Sequence, residues 1–272
     1  MTTDNAKHIS QAFAAARKTG RALETFPIRQ PVSLAEAYFI QDQEIALGDI
    51  PEGWKVAAIK PEFREKLGAE RLVGPIVRLI DARALSSTPI DVPVIAGGFA
   101  AVEAEFAIRI GRDLPLSDRA YSEAELLASV ESLHIAAEIA GSPLATLIDL
   151  GPTAVIADHG NNAAVVIGNE VQDWRERPLE TLTSRTIING SNVGEGGATR
   201  LPHGGPLGSL EYLVTHLAQR GKHLKAGDWV ATGATTGVHR VAPGDLAIVE
   251  FGSGGQLTLQ ITAQQEIEFA SV

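Results

Sequence analysis

Residues 91–111 read DVPVIAGGFAAVEAEFAIRIG, and this stretch decides the fold. It is rich in β-branched and aromatic residues, is punctuated by Pro93, Gly97 and Gly98, and then alternates with period two, the signature of a strand. Val102, Ala104, Phe106, Ile108 and Ile110 fall on one face, which leaves Glu103, Glu105, Ala107 and Arg109 on the other. Two glutamates at i and i+2 of one strand place their carboxylates about 7 Å apart, close enough to grip one hard cation between them. The competing explanation is a solvated strand face, where paired acids are common.

Working outward, the same β-branched texture recurs in WKVAAI (54–59), PIVRLI (75–80), AAVVIG (163–168), RTIING (185–190), DWVATGAT (228–235), LAIVEF (246–251) and QLTLQITA (256–263). These predict strands. Helical spacing dominates elsewhere. Ile9, Phe13 and Ala14, then Ala35, Tyr38, Phe39 and Ile45, predict two helices joined by a Pro27–Pro31 turn, with Ser33 and Glu36 as a capping box and Gly48 as the stop. Ser122 and Glu125 make a second capping box before a helix through Leu126, Leu127, Val130 and Leu133. Residues 205–221 read as the main helix of the second half. Strands and helices do not alternate as in a doubly wound fold, so the class is α+β, dominated by a sheet or sandwich.

Ile135, Ala137 and Ile139 alternate with Ala136, Glu138 and Ala140, so Glu138 sits on a short strand among small and apolar residues. A carboxylate in such a setting is paired or metal-bound, because an isolated buried charge costs several kcal/mol. Three carboxylates with open water positions suit an octahedral oxygen site for Mg²⁺ or Mn²⁺.

The 272 residues carry a formal charge of −10, with 44% hydrophobic and 21% charged residues and no cysteine. A chain of this size buries a large core without disulfides or a structural metal. The absent thiol excludes a cysteine nucleophile, an iron–sulfur cluster and a Cys-type zinc site. No Lys/Arg-rich block offers a nucleic-acid surface, and neither a signal peptide nor a membrane-length apolar run is evident, so a cytoplasmic protein is expected. The acidic field repels an anionic substrate at long range, so a carboxylate ligand would need a bound cation or a pocket lysine. There is no G-x-S-x-G, P-loop or H-E-x-x-H motif, and GEGG at 194–197 lacks the helix of a dinucleotide fingerprint. The glycines around 204–208 and 252–255 read as turns.

PEGWKVAAIK (51–60), VEAEFAIRIGRDLP (102–115), IAAEIAGS (135–142), VIADHGNNAAVVIG (155–168), HGGPLGSLEYLVTHLAQRG (203–221), DWVATGATTG (228–237) and APGD (242–245) occur in order over most of the chain. In these segments the sequence resembles the 2-keto-4-pentenoate (2-hydroxypentadienoate) hydratases of the fumarylacetoacetate hydrolase superfamily. LAEAYFIQDQ (34–43) is similar to the helix that precedes their catalytic region.

The resemblance implies a mixed β-roll or distorted β-sandwich over residues 75–272, with a smaller N-terminal α/β region over residues 1–74. It places Glu103, Glu105 and Glu138 as ligands of Mg²⁺ or Mn²⁺ and Lys55 as the pocket lysine. Asp158 and His159 become candidate catalytic groups, and Lys60, Asn161, Thr232 and Gly233 candidate substrate contacts. Each has a plainer alternative: a strand-edge lysine for Lys55, a histidine bonded to its own loop for His159. His203, His216 and His223 read as structural or surface residues.

Three departures stand out. Arg71-Leu72-Val73-Gly74 replaces the family's P-D-F-G, so its acid is missing. Gly141-Ser142-Pro143 replaces G-S-R, and Asp158-His159 replaces D-N. With Leu72 and Pro143 in those places, a less polar far end and an uncharged substrate tail are expected.

The implied reaction is hydration of a 2-hydroxy-2,4-dienoate to a 4-hydroxy-2-oxo acid in aromatic-compound degradation, by a homo-oligomer with no nucleic-acid or membrane partner. Lys55 would hold the substrate carboxylate or assist protonation, with His159 as acid/base. Decarboxylation of the 4-oxalocrotonate type and C–C hydrolysis of an acylpyruvate are the alternatives within the superfamily. An inactive metal-binding scaffold is the alternative outside enzymes.

Overall fold

Alternating apolar residues make strands along most of this chain, and helices gather at the N-terminus and around residue 210. The computed structural model describes residues 1–48, 50–83 and 89–265. Helices α1 (Thr3–Thr19) and α2 (Leu34–Leu47) precede β1 (Gly53–Ala58), the short α3 (Pro61–Leu67), β2 (Arg71–Ile76), β3 (Leu79–Asp81), β4 (Ile90–Val94) and β5 (Phe99–Ile110). Helix α4 (Glu123–Ser129) runs directly into β6 (Val130–Ser142), and α5 (Pro152–Ala157) leads through a tight turn into β7 (Asn162–Glu170). There follow β8 (Thr183–Ile188), β9 (Ser191–Gly197), α6 (Pro206–Gln219), β10 (Trp229–Ala231), β11 (His239–Arg240), β12 (Leu246–Glu250) and β13 (Gln256–Ala263).

The strands form two mixed sheets, which confirms the α+β class. One has the order β2-β1-β10-β5-β6-β7-β3, with β11 also paired to β5, and the other β4-β13-β12-β8-β9. At the centre of the larger sheet, β5 and β6 pair antiparallel with Glu103 opposite Glu138 and Glu105 opposite Ala136. Val102, Phe106 and Ile108 on β5, with Ile135 and Ile139 on β6, pack into one core with Val249 and Leu259 of the smaller sheet and Leu210, Leu213 and Leu217 of α6. A second core holds Ile9, Phe13 and Ile40 of α1 and α2 against Leu72, Leu144 and Ile156. The opposite face of β5 and β6 is also buried, but through small residues such as Ala101, Ala107, Ala136 and Ala140. That leaves room above the glutamates.

The domain boundary expected at residue 74 falls inside β2. Both β1 and β2 belong to the larger sheet, through the parallel pairing of Gly53 with Trp229 and of Lys55 with Ala231. Residues 266–272, the end of the second expected region, lie outside the described residues.

Local expectations fail at two places. The Ser122–Glu125 capping box is complete, but α4 stops at Ser129 and Val130–Leu133 continue as strand. Val130 and Leu133 are buried in either conformation, so over so short a window the two periods are indistinguishable, and pairing with β5 decides. At α2 only half of the predicted box forms. Ser33 caps Glu36 N–H, whereas the Glu36 carboxylate accepts from Arg29 and Val32 N–H. Gly194–Gly197, which lacks the helix of a dinucleotide fingerprint, is the end of β9. A Cβ on Gly196 would overlap the Thr235 carbonyl oxygen, so these glycines permit backbone to lie on backbone.

Candidate metal centre and its cavity

Antiparallel pairing brings three acids together from two strands. Glu103, Glu105 and Glu138 each offer an oxygen, and the three oxygens lie within 4.8 Å of one another. All three side chains are buried. Glu105 Oε2 accepts from Gly233 N–H at 3.0 Å, and Glu138 Oε1 from Asn162 Nδ2 at 2.8 Å. Glu105 Oε1 and Glu138 Oε2 accept no hydrogen bond among the described residues, although both are buried. Unpartnered buried carboxylate oxygens are costly. An all-oxygen donor set on this scale fits a hard divalent cation with waters completing its shell.

The protonation tendencies agree. Burial, then the neighbouring Glu138 carboxylate, push Glu103 up to about 8 against the pull of Lys55. Glu105 is driven well above the usual carboxylate range by burial, Glu138 and Glu103, against the Gly233 N–H. In the metal-free fold these acids retain protons that the unfolded chain releases near its ordinary value of about 4.3. The unfolded state then binds fewer protons, so metal-free stability is expected to fall as pH rises from about 4.5 towards 8. A divalent metal replaces those protons. At a hundred times its dissociation constant at pH 8 it should add about 2.7 kcal/mol, or about 5–10 °C in Tm, and the same concentration should add less at pH 5.5, where protons compete for the carboxylates. Thermal melts at pH 5.5 and 8 with and without Mg²⁺ check this, and an equal gain at both would contradict it.

Lys55 projects from β1, between Trp54 and Val56, and is 1% exposed, so it is no strand-edge lysine. Its Nζ donates to Asn161 Oδ1 at 2.9 Å and lies 3.4 Å from Glu138 Oε1. A cavity of about 610 Å³ opens above this group. Lys55, Lys60, Leu72, Glu103, Asn161, Thr232 and Gly233 all contribute to its wall. Thr232 is fixed through its own Oγ1, which donates to Phe106 O at 2.8 Å, and Gly233 adopts φ 114°, a backbone that favours glycine, to aim its N–H at Glu105.

Asp158 and His159 are not brought to the cavity, which corrects the expectation that His159 faces substrate. Neither lines its wall. Asp158 Oδ1 meets Arg17 Nη2 at 2.5 Å, and His159 Nε2 lies 3.5 Å from Glu44 Oε2, beneath α1 and α2. Burial and the Arg17 charge hold His159 well below its ordinary value, so the imidazole is neutral. The physical reason is the turn itself: His159 takes φ 52°, which sends its side chain to the helical side while Asn161 faces Lys55. Pro143 is also remote from the cavity wall, and its carbonyl accepts from Leu23 N–H.

Sequence reasoning missed several residues that matter to this geometry. Asn162 holds Glu138, and its only signal was adjacency to Asn161. Arg71, Arg200 and Arg240 reach the cavity from segments distant in sequence, beside Phe63, Phe99 and Leu201. Asn162→Ala is expected to weaken divalent-metal binding about 10–100-fold, the usual effect of removing a group that orients a ligand. Calorimetric titration with Mn²⁺ measures it, and unchanged affinity would show that Glu138 needs no support.

Among curated proteins, the chain is 25% identical over 274 residues to a 2-keto-4-pentenoate hydratase of Paraburkholderia xenovorans (strain LB400), covering 97% of this chain and 98% of that one. A 4-oxalocrotonate decarboxylase of Pseudomonas putida is 34% identical over 106 residues, 39% of each chain. Among solved structures, 4-oxalocrotonate decarboxylase from Pseudomonas putida G7, complexed with magnesium and adipate, superposes with TM-score 0.78 at 21% identity, over 96% of this chain and 98% of that one. Fumarylpyruvate hydrolase from Pseudomonas aeruginosa, in complex with Mn²⁺ and pyruvate, gives TM-score 0.56 at 15% identity, over 78% and 89%. At these identities the structural likeness is one of fold. A family model described as fumarylacetoacetate (FAA) hydrolase C-terminal matches residues 64–262, a span that holds all three glutamates, and on that match the chain belongs to the fumarylacetoacetate hydrolase family.

Proposed function

We propose that this protein is a divalent-metal-dependent hydratase that converts a 2-hydroxy-2,4-dienoate to a 4-hydroxy-2-oxo acid. The observation that carries the proposal is the buried triad of Glu103, Glu105 and Glu138 beside Lys55, with Glu103 and Lys55 in the wall of one cavity. The near full-length relation to a 2-keto-4-pentenoate hydratase supports the reaction class. A Mg²⁺ or Mn²⁺ ion held by the three carboxylates would supply Lewis acidity for the carboxylate and C2 oxygen of such a substrate.

The chain's own residues supply the rest. Lys55 Nζ donates to Asn161 and sits beside the Glu138 carboxylate, which leaves N–H donors for the substrate, where it holds the carboxylate or passes a proton to carbon. Gly233 N–H and Asn162 fix the orientation of two ligand carboxylates before substrate arrives. Phe63, Leu72, Phe99, Val155 and Leu201 give the diene an apolar wall that limits bulk water. Net hydration adds hydroxyl at C4, and the protons end on C3 and C5.

A second reading is favoured by a specific feature of the wall. Arg200, Arg240 and Lys60 stand on it, backed by Arg71, whose guanidinium donates to Gly208 O, Ser209 Oγ and Pro202 O, in place of the apolar far end expected from Leu72 and Pro143. Those cations suit a second carboxylate, and so a 2-oxo dicarboxylate decarboxylase of the 4-oxalocrotonate type. Incubating the Mg²⁺-loaded protein with 2-hydroxypenta-2,4-dienoate, a longer alkyl homologue, 4-oxalocrotonate and an acylpyruvate tests both. Dienol loss without CO₂ supports the hydratase, CO₂ release from the dicarboxylate replaces it with the decarboxylase, and cleavage of the acylpyruvate overturns both.

A further inference from the structure

The turn that carries Asn161 and Asn162 is held from its far side by buried charge. Arg17, near the end of α1, sends its guanidinium to Asp158 Oδ1 and lies 3.7 Å from Glu44 Oε1. It also donates to the carbonyl oxygens of Gly141, at 3.4 Å, and Asp158, at 3.5 Å. His159 completes the cluster through Glu44. None of these four side chains lines the cavity, yet His159 is separated from Asn161 by Gly160 alone, and Asp158 directly precedes His159.

His159, Gly160 and Asn161 all adopt left-handed backbone, with φ 52°, 65° and 59°. For the two non-glycine residues that conformation is disfavoured and persists only when the surroundings impose it. Asn161 N–H donates to Asp158 O at 2.7 Å and closes the turn on the residue that Arg17 holds. There is little slack on the other side. A Cβ on Gly74 would overlap the His159 carbonyl oxygen, and one on Gly160 would lie 3.1 Å from Lys55 Cε. The turn therefore rests directly on the stem of Lys55.

We propose that the Arg17–Asp158 ion pair, with Glu44 and His159 packed beside it, positions Asn161 and through it Lys55. The four are positioning residues, and Lys55 is the group that meets substrate, a role that rests on the hydratase reading above. A buried ion pair can commonly be exchanged for apolar residues without loss of stability. What apolar residues would not preserve is the directed grip on Asp158 that keeps three left-handed residues in place. The order of the chain matches: a charge on the first helix reaches the lysine of the first strand through a turn more than a hundred residues away.

Arg17→Met tests this by two independent readouts. The first is backbone hydrogen exchange, measured without metal or substrate, where the Asn161 amide should exchange about ten times faster or more, as a locally loosened turn does. The second is kinetic: kcat on the dienoate should fall about 10–100-fold, the usual scale for a displaced reacting group, with KM little changed. Arg17→Lys should recover part of both. On an Asn161→Ala background, Arg17→Met should cost nothing further, because the link is already cut. If Arg17→Met does not fold, the isosteric Asp158→Asn carries the same measurements. Unchanged Asn161 exchange, or losses that simply multiply in the double variant, would overturn the proposal. If the wild-type protein turns over no dienoate, the hydratase reading fails, while the exchange measurement still decides whether Arg17 holds the turn.

Discussion

Glu105→Gln is expected to lower affinity for Mg²⁺ or Mn²⁺ by at least about 100-fold, more than the loss of an orienting residue alone, and to abolish turnover while the fold remains intact. The amide keeps the shape of the side chain and can still accept from Gly233 N–H, so the backbone around β10 has no reason to move. What it loses is the charge that a hard cation requires. The metal-free variant carries a further signature. Burial and two neighbouring carboxylates disfavour ionised Glu105, so a neutral amide relieves repulsion in the apo protein. Its metal-free Tm at pH 8 should equal or exceed that of the wild type, whereas added metal should raise Tm only in the wild type. Calorimetric titration and thermal melts report both. Metal binding that survives the substitution would reduce the triad to a protonated cluster with a structural role.

Lys55→Met should reduce turnover by about 10²–10⁴, the range for removing a positioned proton donor, with metal affinity changed by only a few-fold. Methionine fills much of the same buried space, so β1 has no reason to shift between β2 and β10. It removes the donor to Asn161 and the charge beside Glu138. Steady-state kinetics on the dienoate together with Mn²⁺ titration separate the two effects. Parallel loss of turnover and metal binding would make Lys55 a support of the triad, and equal activity would take it out of the mechanism.

The platform was legible in the sequence because two simple periods write it. Alternation over residues 102–110 puts Glu103 and Glu105 on one strand face, and an acid among alanines and isoleucines marks Glu138 as buried. The pairing that makes them neighbours needed the fold, since no local signal specifies Glu103 opposite Glu138. Lys55, Asn161, Thr232 and Gly233 were reachable only through the family resemblance. His159 was misplaced because residue type indicates chemistry but not side-chain direction, and a left-handed φ sent it towards Glu44. The arginines of the cavity were invisible for another reason. Arg200 follows β9 and Arg240 ends a two-residue strand, and both places are too short to show a period. Part of the cavity wall therefore comes from segments without periodicity, where sequence patterns carry least information.

The opposition of Glu103 and Glu138 also bears on how the chain reaches its native state. In antiparallel strands a slip of one residue turns every side chain to the other face. For β5 and β6, both long and central, a slip that turned β6 over would drive Glu138 among Phe106 and Ile108 of β5 in the apolar core and would leave Ile135 and Ile139 facing the cavity. The desolvation cost makes that misregistered intermediate far less stable than the correct one. The acids thus serve as proofreading marks during folding, rejecting wrong strand alignments before any ion or substrate has a place to bind.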